Sequence, residues 1–98
     1  MYTVSYSSRF LRDVKTCTKR HWNTDALKAA IIDLMASDEK PLNPRYKEHA
    51  LTGSKKGYRS LHVDSAPNPP KGQWVLMYKA CKDEIALVRT GTHEEVYG

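Results

Sequence analysis

Trp74-Val75-Leu76-Met77-Tyr78-Lys79-Ala80 decides the fold. The run from Trp74 to Tyr78 is apolar at odd and even positions alike, so a strand here has both faces covered and belongs in the middle of a sheet. Lys82-Asp83 supplies a turn after it, and Ile85-Ala86-Leu87-Val88-Arg89-Thr90 supplies a further strand. On the other side, residues 65–73 carry Pro67, Pro69, Pro70 and Gly72, a stiff connection without strand capacity. Before that, residues 58–64 alternate. Tyr58, Ser60, His62 and Asp64 face one way, and Arg59, Leu61 and Val63 face the other.

Helical spacing governs the first third of the chain. Leu27, Ala30, Ile31, Leu34 and Met35 recur at i, i+3, i+4, i+7 and i+8, an apolar stripe for packing on a sheet. Asn23 or Thr24 caps this helix, and Pro41 bounds it. Phe10, Val14, Cys17 and His21 mark an earlier helix capped by Ser7 or Ser8, with Arg9, Arg12, Lys15 and Lys19 on another face. Tyr2, Val4 and Tyr6 alternate with Thr3 and Ser5 as a short strand. Residues 37–57 have no strong period and contain Pro41, Pro44, Gly53 and Gly57; so long a loop in a small domain tends to be functional. Thr92 and Glu95 form a capping-box pattern that places His93 at the start of a short terminal turn. The expected architecture is one α+β domain over residues 1–98. It has the order β-α-α-β-β-β, with two N-terminal helices on one face of a small antiparallel-rich sheet.

Composition narrows the partners. The 98 residues carry 16 Lys+Arg against 11 Asp+Glu, a net charge of +5, which suits nucleic acid or an acidic protein. The excess sits in residues 7–22 and 40–59, so a basic side is expected. No apolar run is long enough to span a bilayer, and the start of the chain is too polar for a secretory signal. The expected compartment is the cytoplasm, with no membrane association. Cys17 and Cys81 are expected to be unpaired thiols in that compartment.

Of the four histidines, His21 suits a helix C-terminus through the dipole alone. His62 lies on the non-core face of a strand, His93 at a strand-to-turn transition, and His49 in the long loop. The last two strands can bring His93 alongside His62. Beside them stand Lys55, Lys56 and Arg59. RNA carries its own nucleophile, the 2′-hydroxyl. Its cleavage needs a base, an acid and cations for the charge on phosphorus oxygens. Histidine serves as base or acid near neutrality. Such a set needs no metal and no cofactor. A zinc site from these histidines with a cysteine or Asp64 lacks the close ligand pairs that strengthen such an assignment.

Several short motifs carry a resemblance. Tyr46-Lys47-Glu48-His49-Ala50-Leu51-Thr52-Gly53, Lys56-Gly57-Tyr58-Arg59, Leu61-His62-Val63 and Arg89-Thr90-Gly91-Thr92-His93 resemble, in order and spacing, the YafQ branch of the RelE/ParE toxin superfamily. The basic first helix, with Lys19-Arg20-His21, is similar too. The resemblance implies a microbial-ribonuclease-like fold and an mRNA interferase that cuts messenger RNA on the translating ribosome. It implies a small, DNA-binding, dimeric antitoxin as partner, so operator DNA is reached only through the antitoxin. It makes His49, His62 and His93 active-site histidines, with His49 expected as base, His93 as acid and His62 orienting or stabilising the phosphate. Tyr97 falls where the family has a terminal aromatic that stacks on a base. Lys55, Lys56, Arg59, Trp74, Arg89, Arg12, Lys15 and Lys19 complete the expected RNA contacts. The family's Asp-Trp pair keeps its tryptophan as Trp74 but has Gln73 for the aspartate, so Asp64 is the expected substitute carboxylate. The rival readings are a ParE-like toxin that inhibits gyrase, a non-catalytic RNA- or ribosome-binding domain, and a degenerate toxin retained for repression with its antitoxin. The first of these has no need of the histidine set.

Overall fold

The computed structural model describes all residues from Met1 to Gly98. Strand β1 (Thr3–Tyr6) is followed by helices α1 (Ser8–Lys19) and α2 (Thr24–Met35). Strands β2 (His49–Ala50), β3 (Arg59–His62), β4 (Trp74–Ala80) and β5 (Glu84–Thr92) come next, and helix α3 (His93–Tyr97) ends the chain. The sheet order is β1-β5-β4-β3-β2. β1 pairs parallel to β5, and every other pair is antiparallel.

The caps follow side-chain chemistry. Ser7 Oγ accepts from the Phe10 N–H at 2.9 Å, and Asn23 Oδ1 accepts from the Asp25 N–H at 3.1 Å. Both helices lie on one face of the sheet, as expected. Phe10, Cys17, Leu27, Ala30 and Leu34 pack in a single core with Leu61, Trp74, Leu76, Tyr78, Ile85 and Leu87. A smaller cluster of Val75, Met77 and Val96 closes the other face under α3. The apolar run of β4 is thus consumed on both sides.

Three features depart from the sequence reading. The first strand joins by parallel pairing to the last. The 37–57 loop contains β2, whose His49 and Ala50 pair with Ser60 and Arg59. And β5 is longer than residues 85–90, because the ladder continues to Thr92 opposite Trp74. Within β5, Met77 pairs with Arg89 while Tyr78 pairs with Leu87, so Val88 is an extra residue. This bulge resets the alternation. Leu87 and Thr90, an odd and an even position, both face the helices. Thr90 Oγ1 there accepts from Trp74 Nε1 at 2.8 Å, and its N–H donates to Asp13 of α1 at 3.1 Å. Cys17 is buried, Cys81 is exposed, and neither forms a disulfide.

Candidate active site

The face away from α1 and α2 gathers the histidines. Ser60 and His62 point to this side from β3, while Leu61 between them enters the main core. His49 comes from the edge strand β2, opposite Ser60. The His49 and His62 ring centroids are 6.5 Å apart. His93 opens α3, and its N–H donates to the Gln73 carbonyl at 2.9 Å. His49 and His93 line one open cavity of about 340 Å3 with Leu51, Thr52, Ser54, Lys55 and Tyr97.

Local chemistry holds the His49 and His93 rings. The turn before β2 puts Lys47 at φ 50°, and the Lys47 carbonyl lies 3.0 Å from His49 Nδ1. If Nδ1 carries the proton that this contact calls for, Nε2 is the free lone pair. Thr92 Oγ1 accepts from the Glu95 N–H at 3.2 Å, and Glu95 accepts from the Thr92 N–H at 2.9 Å, a complete capping box. Arg20, at the end of α1, grips the Glu95 carboxylate with both terminal nitrogens, at 2.8 and 2.6 Å. A Cβ at Gly91 would meet Glu95 Oε1 at 3.0 Å, so the glycine leaves room for the returning carboxylate. The Tyr97 ring meets His93 edge-on at 4.5 Å, and its hydroxyl donates to Ser60.

The histidines differ electrostatically. Burial lowers the His62 pKa below its ordinary value, and Coulombic repulsion involving the neighbouring His49, His93 and Lys47 lowers it further. His62 is therefore neutral at physiological pH. Burial raises the Tyr97 pKa, so its hydroxyl stays protonated.

The expected RNA contacts divide. Lys55 and Tyr97 line the histidine cavity. Lys56 is exposed nearby, and Arg12, Lys15 and Lys19 are exposed on α1, which packs on the opposite face. Three expectations need correction. Trp74 is fully buried in the core, hydrogen-bonded to Thr90, and presents no surface to RNA. Arg89 donates to Asp13 at 2.8 Å and secures α1 to β5. Arg59 makes a two-point ion pair with Glu48 on the helix side of the sheet. Asp64 does come near a histidine: it shares a cavity of about 210 Å3 with His62, Ala26, Ala29, Arg45 and Tyr46. Its Oδ1 accepts from the Ala66 N–H at 3.3 Å, however, and it hydrogen-bonds to no histidine. Sequence reasoning missed Ser60, which ties Tyr97 to the sheet. Its alternation with His62 was the available signal. It also missed Asp13, hidden as a lone acid within a basic stretch.

Known proteins share this fold. The mRNA interferase toxin YafQ of Escherichia coli K12 is 37% identical over 95 residues, spanning 97% of this chain and 95% of that one. The crystal structure of YafQ from E. coli BL21(DE3) superposes with a TM-score of 0.83 at 35% identity, covering both chains in full. YafQ in the E. coli DinJ-YafQ toxin-antitoxin complex superposes at 0.80 with 36% identity, covering 99% of this chain and 98% of that one. The family model for the YafQ bacterial toxins of type II toxin-antitoxin systems matches residues 2–98, and this chain belongs to that family.

Proposed function

We propose that this toxin is an mRNA endoribonuclease in which His49, His62 and His93 act on one phosphodiester. What supports the reading is convergence: three histidines from β2, β3 and α3 meet on one face, with Lys55 and an aromatic ring beside them. The name that the E. coli relative bears, mRNA interferase toxin, agrees with that chemistry.

In the proposed reaction His49 takes the proton of the 2′-hydroxyl. The 2′-oxygen attacks phosphorus, the bond to the 5′-oxygen breaks, and His93 supplies the proton that the departing oxygen needs. A 2′,3′-cyclic phosphate and a 5′-hydroxyl result. Lys55 offers a cation for the charge that builds on the phosphorus oxygens. His62, neutral before RNA binds, donates an N–H to one of those oxygens and orients it. Tyr97 provides a ring on which a base can stack. The substrate is proposed to be mRNA on the ribosome, in the cytoplasm. The partner is a cognate antitoxin of the DinJ kind, small, dimeric and DNA-binding, through which alone the operator is touched. A toxin aimed at gyrase leaves the histidine face without a task.

The test is end-group analysis of RNA cut by the purified chain in a translating extract. Cyclic phosphate and 5′-hydroxyl ends are expected. Ends of 5′-phosphate type would overturn the scheme. Each His→Ala change should cost on the order of 10²-fold or more if the residue moves a proton.

A further inference from the structure

His49 faces the cavity, whereas Glu48 just before it reaches the helix side of the sheet, where Tyr78 sits in the main core. On that far side Glu48 Oε1 accepts from Arg59 Nη2 at 2.9 Å. Its Oε2 accepts from Arg59 Nε and, at 2.5 Å, from the hydroxyl of Tyr78. Tyr78 is 2% exposed, so this hydroxyl has little water to turn to. The trio borders a separate cavity of about 460 Å3 that no histidine enters.

β2 needs such support. It is two residues long, lies at the sheet edge and has β3 as its one neighbour. So short a ladder is marginal alone. On its N-terminal side the chain arrives from a left-handed residue, Lys47. We infer that Glu48, Arg59 and Tyr78 form a clamp that positions His49: the carboxylate bolts the segment carrying the histidine to β3 and β4 from behind the sheet. Arg59 thereby acts as a positioning residue and not as an RNA contact. The inference rests on His49 taking part in the reaction proposed above.

The Arg59 guanidinium, and after it the Tyr78 hydroxyl, hold the Glu48 carboxyl below the usual carboxylate range, so the clamp is ionised at working pH. Burial, and then the Glu48 carboxylate, raise the Tyr78 pKa, so its hydroxyl remains a donor. Replacing Glu48 with glutamine keeps the size, removes the charge, and turns one oxygen into a donor that faces donors. A displacement of about 1 Å at a catalytic group can cost on the order of 10²-fold in rate.

The test compares wild type, Glu48→Gln, Tyr78→Phe and Arg59→Lys on an mRNA fragment programmed into ribosomes, with the histidine imidazole NMR signals of each free protein. The expected result for Glu48→Gln is a kcat at least about tenfold lower with KM within about twofold. The His49 signal should shift while that of His93 stays in place. Arg59→Lys, which keeps the charge and loses the fork, should fall between it and wild type. If Glu48→Gln does not fold, Tyr78→Phe removes one donor, keeps the ion pair, and should give the same pattern in weaker form. Unchanged kcat with an unchanged His49 signal overturns the clamp. So does a raised KM at constant kcat, which would mean that the trio touches RNA. If wild type cuts no RNA, the functional reading fails on its own, and the His49 signal still decides the clamp.

Discussion

Glu95→Ala removes one carboxylate from the cap of α3, and its effect can be worked out from the structure. Glu95 accepts from the Thr92 N–H and from two Arg20 nitrogens. Losing an N-terminal cap interaction costs about 0.5–2 kcal/mol. The Arg20 and Glu95 side chains are 37% and 38% exposed, so solvent screening leaves the ion pair worth about 0–1 kcal/mol. The sum is about 0.5–3 kcal/mol, against a native stability of about 5–15 kcal/mol. The fold should survive. Helix α3, five residues long, should fray, because so short a helix depends on both halves of its capping box and Glu95→Ala leaves only the bond to Thr92 Oγ1. Since α3 begins at His93, cleavage should fall by about tenfold or more. The acid limb gives a second handle. The Arg20 guanidinium, followed by the hydrogen bonds from Thr92, pulls the Glu95 carboxyl down to about 2 from an ordinary 4.5. The folded value is depressed, so the stabilisation is complete above pH 4.5 and is lost as pH falls toward 2. Amide hydrogen exchange at residues 93–98, urea denaturation at pH 7 and pH 3, and single-turnover cleavage are the assays. Glu95→Ala should speed exchange in α3 at pH 7, and the stability gap from wild type should narrow at pH 3. Unaltered exchange with full cleavage would refute the idea that this cap positions His93.

Other outcomes follow from the same contacts. Trp74→Phe removes the hydrogen bond to Thr90 and opens a small void, so it should cost about 1–3 kcal/mol in denaturant melts, with RNA affinity of the folded fraction unchanged. Asp64→Asn should slow cleavage by less than about tenfold, because the carboxylate bonds to the Ala66 N–H and to no histidine; a loss equal to that of a histidine variant would restore Asp64 to the catalytic set. By NMR titration His62 should ionise below its ordinary pKa. His49→Ala and His93→Ala should each raise it, since each removes a Coulombically repelling neighbour.

The sequence displayed its elements better than their pairings. The apolar run in β4, the helical stripe of α2 and the Thr92–Glu95 box are local patterns, and each became the expected element. Parallel pairing of β1 with β5 is a non-local choice between edges that leaves no mark in either strand. β2 is too short to show a period. The Val88 bulge put Thr90 on the face that simple alternation gives to its neighbours. The histidines were legible as a group, because alternation and the cap fixed two of them. The cations were less so. Arg59 and Arg89 look like free charges in the sequence, but Glu48 lies 11 residues from one and Asp13 lies 76 from the other. Trp74 is a related case, buried at 0% exposure. Its motif position suggested contact with RNA, whereas its place in the most apolar strand already indicated burial.

The most direct test of the central claim, that the histidine face cuts messenger RNA, is genome-wide mapping of mRNA 5′ ends after induced expression of wild type and of His93→Ala. The account predicts new ends within translated reading frames for wild type, and their loss with a still-folded His93→Ala protein. The same ends at the same frequency from His93→Ala, or growth arrest without new ends from wild type, would contradict it.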